Sequence, residues 1–505
     1  MAGAPPVVGL VGCGAMGRGI AQIAAQAGMQ VRLLDTRPGA AAEARAAIGS
    51  TLEKLAARGK FPAAEVAAVT GRLAVLDGLE GLRGCGVVVE AIVEELEAKR
   101  ALFRALEPVV GDDCILATNT SSLSVTAMAA GLSRPERVAG FHFFNPVPVM
   151  KVVEVVAGLL TRPEVVDRLA AMATAWGHTA VRAKDTPGFI VNHAGRGFGT
   201  EGLRILSEGV AGIPAIDAIL RDTAAFKIGP FALMDLTGLD VSHPVMESIY
   251  RQYYDEPRFR PQPLTRQMLA AGTLGRKTGR GFYAYPGGTQ EVPPEAPAPA
   301  DRPQAVWVSA ARPALREPVA ELLARLGARL DEGARPAAAS LCVVTPLGED
   351  ATGCAVAQGL DPARTVALDA VFDLSRRRTL MTTPVTSRAT RDAAHGLLGS
   401  DGVPVTPIHD STGLVAQRVV ATIVNIASEI AQQRIATPQD VDRAVVLGLG
   451  YPHGPLAWGD RLGPRLVLEI LENLLAATGD PRYRPSPWLR RRALLGASLL
   501  TLEDA

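Results

Sequence analysis

Cysteine is scarce and poorly placed for cross-linking. The 505-residue chain has five, at positions 13, 85, 114, 342 and 354, an odd set with no CxxC pair and no histidine at zinc spacing. A disulfide framework and a structural metal are therefore excluded as organising devices, and a reducing cytoplasm fits best. Net charge is nearly absent too: 52 Lys and Arg stand against 51 Asp and Glu, leaving +1. No whole-molecule field draws the chain to nucleic acid or to an anionic membrane. No run of about 18 uncharged apolar residues occurs, and no basic segment near the start precedes a long apolar stretch, so neither membrane insertion nor secretion is expected. With 48% hydrophobic and 20% charged residues the composition is that of a globular protein. Its length allows roughly three compact units.

What is present begins with alternation. Short β-branched runs at Val7–Val11, Gln30–Asp35, Val87–Ala91, Ile115–Thr118 and Val138–Phe141 are separated by longer Ala- and Leu-rich segments such as Glu94–Val110. That pattern predicts a parallel sheet wound by helices. From Phe189 to about Tyr254 the periodicity turns helical, with Gly229-Pro230 opening a new helix. Tyr285–Pro303 then carries six prolines and few apolar side chains, the composition of an exposed, extended linker.

Internal similarity crosses that linker. Asp185-Thr186-Pro187-Gly188-Phe189 matches Asp410-Ser411-Thr412-Gly413-Leu414, Ser207-Glu208 matches Ser428-Glu429, Gly229-Pro230 matches Gly454-Pro455, Asp235 matches Asp460 and Gly238 matches Gly463. A duplication explains these matches better than the chance recurrence of short turn motifs. The expected architecture is an α/β Rossmann-like domain over 1–188, an all-helical domain over 189–285, the Pro-rich linker over 286–303, a degenerate Rossmann-like remnant over 304–404 and a second all-helical domain over 405–505.

Gly12-Cys13-Gly14-Ala15-Met16-Gly17 follows the first strand-like run and opens a helix, and Asp35 ends the second run. Strand, glycine loop, helix and acid together form a dinucleotide fingerprint. One glycine allows the tight turn, one lets backbone approach the pyrophosphate and one lets helix and strand pack, with the phosphates on the helix N-terminus. Asp35 would accept from the ribose hydroxyls and repel a 2′-phosphate, which favours NAD, although Arg32 and Arg37 lie close by.

His142 directly follows a strand of this sheet, at the carboxyl edge where ligands bind. Alone among Phe141, Phe143 and Phe144 it reads as a packed core residue. Glu154 lies twelve positions later in the apolar run Val152–Val156, where an ionised carboxylate needs a partner, and His142 is the candidate.

The stretches GCGAMGRGIAQIAAQAG, VVVEAIVEELEAKRALFRAL, LATNTSSLSVTAMA, RVAGFHFFNPVPVMKVVEVV and KDTPGFIVN resemble the signature blocks of the 3-hydroxyacyl-CoA dehydrogenases in order and spacing, over about residues 7–285. The remainder resembles, more loosely, the extra C-terminal domain of long bacterial members such as those of phenylacetate degradation. The resemblance implies NAD-dependent interconversion of (3S)-3-hydroxyacyl-CoA and 3-ketoacyl-CoA. It assigns the catalytic pair to His142 and Glu154, substrate contacts to Ser121 and Asn192, and cofactor contacts to the glycine loop, Asp35, Glu94 and Lys99. Ser121 taken alone reads equally as a helix N-cap. The helical segment Thr51–Lys60 resembles the family region that meets the nucleotide part of CoA, which makes Lys54 and Lys60 candidates, although single lysines are ordinarily solvated surface residues. Shorter members dimerise through the helical unit, so the second copy is expected to pack on the first within one chain, as a homo-oligomer's partner would.

Departures from the family pattern bear on these expectations. Three glycines fall in His193–Gly199, where a helix is expected to be looser. The second half has no GxGxxG, and alignment sets Asp369 against His142, Met381 against Glu154 and Gln417 against Asn192, without a catalytic pair. The basic runs Arg376–Arg378 and Arg490–Arg492 are expected to be exposed. The rival readings are a dinucleotide-binding structural protein without turnover and another Rossmann-type hydroxyacid dehydrogenase.

Overall fold

The computed structural model describes residues 7–503. Its first half holds eight strands: β1 (Val8–Val11), β2 (Val31–Leu34), β3 (Leu73–Val75), β4 (Val87–Glu90), β5 (Ile115–Thr118), β6 (Val138–Phe143), β7 (Val152–Ala157) and β8 (Thr179–Lys184). β1, β4, β5 and β6 are buried along their whole length, as strands covered on both faces must be. They form one sheet in the order β3-β2-β1-β4-β5-β6-β7-β8. It is parallel except where β7 runs antiparallel to β6, with β8 parallel to β7. The helix expected over Glu94–Val110 is shorter, Leu96–Leu106, because Pro108 lacks the amide that would continue it. β3 and β8 had no clear sequence signal: β3 has three residues, and β8 carries Arg182 and Lys184.

This sheet belongs to a compact unit made of the residues up to 193 together with 433–449. The later segment contributes the helix Pro438–Leu449, which packs on β7 and β8. The Lys184 amide donates to the Ile435 carbonyl at 2.9 Å. This helix therefore groups with the first sheet, although the sequence placed it in the second helical domain.

The second unit comprises 194–432 and the residues from 450 onward. It contains one helical copy built on Arg196–Ser207, Ile213–Thr223, Pro230–Thr237 and Leu239–Gln252, and another built on Ala416–Gln432, Pro455–Leu462, Pro464–Thr478 and Pro487–Leu495. Between them runs the largely exposed segment 286–303, which carries the short turn Pro286–Gly288. A second sheet follows, of β9 (Ala305–Val308), β10 (Ser340–Val344), β11 (Thr365–Leu368), β12 (Arg378–Thr382) and β13 (Val405–Ile408), in the order β13-β12-β11-β10-β9. β13 carries the remnant past the expected boundary at residue 404. The His409 amide donates to the Val210 carbonyl at 2.9 Å, matching the bond from Lys184 to Ile435 in the other unit.

The smaller sheet repeats β4 to β8 in order, with the same antiparallel pair in the middle, since β11 and β12 oppose each other as β6 and β7 do. Backbone details repeat as well. Gly188 and Gly413 have φ of 78° and 74°, and the following Phe189 and Leu414 have 47° and 49°. Asp185 accepts from the amides of Val125 and Thr126 and from the Ser124 hydroxyl, while Asp410 accepts from the amides of Ala351 and Thr352 and from the Thr352 hydroxyl.

The strand register corrects one alignment. His142 lies opposite Glu154, whereas the Asp369 amide donates to the Thr379 carbonyl, on from Leu368 opposite Leu380. The connection in the second copy is two residues shorter, so Thr379 and not Met381 stands in the place of Glu154.

The basic runs are also corrected, because Arg377, Arg378 and Arg492 are buried. Arg377 bonds Asp222, Glu295 and Thr406, Arg378 bonds Asp401, and Arg492 bonds the Thr501 carbonyl and covers the Trp488 ring. Each guanidinium finds a carboxylate or carbonyl that its local sequence does not announce. Nor do the glycines only loosen Arg196–Ser207. A Cβ on Gly197 would meet Ile426 at 3.1 Å, so the glycine lets Ala416–Gln432 cross close by. At that crossing the buried Arg418 meets the buried Glu201 at 2.5 Å and Glu208 at 2.6 Å. No helix among the described residues is long and apolar enough to cross a membrane.

Candidate active site

The glycine loop leaves β1 and enters the helix Ala15–Gln26. Gly12 has φ of 96°, and a Cβ there would lie 2.5 Å from the Ala91 carbonyl; a Cβ on Gly17 would lie 1.8 Å from the Gly12 oxygen. Only glycine fits at either position. A Cβ on Gly14 would meet nothing within 4 Å, so that backbone faces open space at the start of the helix. Ala15 is exposed and Met16 half-buried in the first helical turn. Asp35, at the end of β2, accepts from the Cys13 amide at 2.7 Å and the Arg37 amide at 2.9 Å, locking the loop beside it. The arrangement fits a dinucleotide: free space and a helix N-terminus for the pyrophosphate, and a carboxylate beside the loop at the end of the second strand, where a ribose would be met. Arg32 turns away to the carbonyls of Gly81 and Arg83, and Arg37 pairs with Glu43, so the two arginines flanking Asp35 are already engaged. Burial, with Asp35 adding to it, pushes the Cys13 thiol up to about 11, so Cys13 stays a neutral, packed side chain.

His142 sits on β6 and Glu154 on β7, directly opposite each other in the antiparallel pair, with Nδ1 and Oε2 2.6 Å apart. Both are buried, Glu154 completely. An ionised carboxylate only accepts, so opposite one Nδ1 carries the ring proton and Nε2 is the ring's acceptor. The other oxygen of Glu154 accepts from the amides of Ile190 and Val191 at 2.9 Å each, which satisfies the carboxylate and ties it to the turn that presents Asn192. Phe144 and Phe189 flank the imidazole, with ring centroids 4.4 and 5.9 Å away.

Asn192 donates to the Ser121 carbonyl at 3.4 Å, so the structure brings these two expected substrate contacts together. Glu94 gathers the loop after β5: its Oε1 accepts from the Thr120 hydroxyl at 2.6 Å, the Ser121 amide at 2.8 Å and the Ser122 amide at 3.2 Å. Desolvation would raise the Glu94 carboxyl, but bonds from Thr120, Lys99 and Ser121 outweigh it and hold the group below the usual carboxylate range. Lys99 lies behind Glu94 with its side chain 1% exposed, 2.5 Å from Glu90 and 3.3 Å from Glu94. Lys54 and Lys60 are exposed at the end of the helix Ala40–Ala57 and just beyond it, away from this cluster along the chain.

Sequence reasoning missed Glu90, Thr118 and Asn119. Asn119 accepts from the Phe143 amide at 2.8 Å and so fixes the residue after His142. Glu90 accepts from Lys99, from the Ile92 amide and from the Thr118 hydroxyl. The available signal was an acid closing the wholly apolar run Val87–Val89, which cannot be buried there without donors. Among the described residues no cluster of three or more His, Cys, Asp or Glu side chains could hold a metal ion.

Comparison with known proteins agrees with this geometry. The model of the 3-hydroxyacyl-CoA dehydrogenase NAD-binding domain matches residues 7–186. The model of the C-terminal domain of the same family matches twice, at 188–285 and again at 413–498. A 3-hydroxyadipyl-CoA dehydrogenase of Escherichia coli is 38% identical over 491 residues, 97% of each chain. A probable 3-hydroxybutyryl-CoA dehydrogenase of Bacillus subtilis is 42% identical over 276 residues, 55% of this chain and 96% of that one. The crystal structure of a 3-hydroxybutyryl-CoA dehydrogenase from Escherichia coli superposes with a TM-score of 0.85 at 36% identity, covering 97% of this chain and 99% of that one. The chain belongs to the 3-hydroxyacyl-CoA dehydrogenase family and is an NAD-dependent oxidoreductase of 3-hydroxyacyl-CoA.

Proposed function

We propose that His142 is the acid–base group of this reaction, Glu154 its orienting partner, and Ser121 and Asn192 the contacts to substrate oxygens. The 2.6 Å bond between His142 Nδ1 and Glu154 Oε2, buried and pinned to the backbone before Asn192, is the observation that carries this reading. Gly12, Gly14, Ala15, Met16, Gly17 and Asp35 would hold NAD, with Glu94 beside it and Lys99, buried behind Glu94, acting through that carboxylate; bound NAD would supply the hydride acceptor. His142 Nε2 takes the proton of the 3-hydroxyl as the hydride leaves C3, so the carbon–oxygen single bond becomes a carbonyl. Glu154 accepts from Nδ1–H, keeping that proton on the ring, and balances the positive charge that develops there. Ser121 and Asn192 donate to the oxygens on which negative charge grows. In the reverse direction the imidazolium returns the proton.

Lys54 and Lys60, exposed beside the Ala56–Ala57 surface, would meet the phosphates of CoA as point charges. We read the acyl group as of the 3-hydroxyadipyl class, supported by the relative named for that substrate, which is 38% identical over 97% of this chain. The phenylacetate-degradation role and the cytoplasmic setting belong to the same reading; five free, buried cysteines suit a reducing compartment. We propose the five-part division of the chain with the remnant extended through β13 and the helix Pro438–Leu449 exchanged. The bonds from Lys184 to Ile435 and from His409 to Val210 support an intrachain pseudo-dimer: each helical copy hands the same turn to the other copy's sheet, a reciprocity that isologous dimers show between chains.

The test is NADH oxidation on adding acetoacetyl-CoA or 3-oxoadipyl-CoA. Turnover with both, and a higher kcat/KM for 3-oxoadipyl-CoA, is the expected result. Turnover with neither would overturn the site reading, and a preference for acetoacetyl-CoA would overturn the acyl-class reading.

A further inference from the structure

Beneath the substrate side of the site lies a buried ion pair that the reaction as described does not use. Glu90 closes β4 with no exposed side-chain surface, and Lys99 reaches it from the helix Leu96–Leu106 at 2.5 Å. Both Glu90 oxygens have donors: Oε1 takes Lys99 and the Ile92 amide at 2.7 Å, and Oε2 takes the Thr118 hydroxyl at 2.8 Å. Two charges removed from water in this way contribute little stability relative to an apolar pair, so their presence needs another reason. The geometry supplies one. The Lys99 ammonium also stands 3.3 Å from Glu94 Oε2, while Glu94 Oε1 holds the amide and hydroxyl of Ser121. Glu90 thus fixes Lys99 from below, Lys99 fixes one oxygen of Glu94, and the other oxygen fixes Ser121.

We infer that Glu90, with Thr118 and Lys99, is a positioning residue that sets the placement of Ser121 through Glu94. This rests on the reading of Ser121 as a substrate contact. Glu94 is partly exposed, with 38% of its side chain reachable by solvent, and a flexible glutamate there has several rotamers open to it. The ammonium behind it selects one, and catalytic groups displaced by a fraction of an ångström lose rate without losing the fold.

The experiment compares Lys99→Met, the double variant Glu90→Leu/Lys99→Met, Thr118→Val and Ser121→Ala in the full chain, reading unfolding midpoint, kcat with acetoacetyl-CoA and the NADH dissociation constant. Lys99→Met alone strands a buried carboxylate and should lower both midpoint and kcat. The double variant removes both charges, so its midpoint should return toward wild type while kcat stays lower by about tenfold or more. Thr118→Val, which at constant shape deletes the bond to Glu90 and the acceptor of the Thr120 amide, should lower kcat by about threefold with NADH affinity held. A double variant of wild-type midpoint and wild-type kcat overturns the positioning role. If the double variant does not fold, an unchanged kcat in Thr118→Val overturns it equally. Wild-type activity in Ser121→Ala would instead overturn the underlying reading of Ser121, and so is told apart from failure of the positioning step.

Discussion

In the first half His142 faces Glu154, and Asn192 bonds the carbonyl of Ser121. At the matching places of the second half Asp369 faces Thr379, and Gln417 bonds the carbonyl of Pro346 at 3.0 Å. The backbone plan is common to both, down to the positive φ of the two glycine turns, but the chemistry is not. Gln417, one methylene longer than asparagine, reaches Asp369 Oδ1 at 3.0 Å and takes the Gly348 amide at 3.0 Å, filling its own surroundings. Pro346 offers no hydroxyl. The β1–β3 part of the sheet, with its glycine loop, has no counterpart in the smaller sheet, which repeats β4 to β8 alone. A fold can therefore recur with different side chains at every matched position, because strand register and turn conformation depend on burial and backbone, whereas site chemistry depends on a few side chains.

The contrast is broken most directly by mutation at matched positions. His142→Ala and Glu154→Gln should each lower turnover by about 10²–10⁴, the range for general acid–base groups, while Asp369→Ala leaves it within about twofold. Steady-state NADH oxidation with acetoacetyl-CoA decides this, and a large loss in Asp369→Ala would mean that the second half takes part in the chemistry.

Packing between the copies is the next target. Arg418→Met removes the guanidinium 2.5 Å from Glu201, leaving that buried carboxylate with the Tyr483 hydroxyl and with Arg482 at 3.6 Å, and should cost about 3 kcal/mol in chemical denaturation. Arg37→Met, which breaks an exposed pair with Glu43, should leave the unfolding midpoint unmoved. Equal midpoints for the two variants would remove Arg418 as a tie between the helical copies.

A smaller effect separates the two sites by pH. Burial pushes the Asp369 carboxyl up to about 6, against the opposing bond from Gln417, and Oδ2 has no protein partner. The folded state then holds this proton more tightly than the unfolded chain. Its contribution is fully favourable below about pH 4, declines as pH rises through about 6, and is constant above that. Asp369→Asn should abolish the decline, gaining on wild type by up to ~3 kcal/mol between pH 4 and 7. Asp217, also pushed up to about 6 by burial, titrates in both proteins and cancels in the difference. A wild-type-minus-variant difference independent of pH would show that Asp369 is ionised throughout.

Much of the first half was legible because its signals are local. The glycine loop, Asp35 and the run before them lie within one strand–helix–strand unit, and a twelve-residue separation across one antiparallel pair sufficed to set Glu154 opposite His142. What was hidden depends on partners that a sequence window does not contain. Arg377 and Arg378 looked like a solvated run until Asp222, Glu295 and Asp401 met them. Gly197 looked like a loose helix until a helix from the far end of the chain crossed it. Thr379 was missed because the offset established elsewhere does not hold across a connection shortened by two residues. Glu90 was missed because its meaning lies in Lys99 and Thr118, which belong to different elements.

The central claim is that one chain carries two copies of the architecture and one working site. Titration calorimetry of the full chain with NADH measures this directly. A single NADH site per chain, weakened when Asp35 is changed to Ser, is the predicted outcome; two NADH sites per chain would contradict the account.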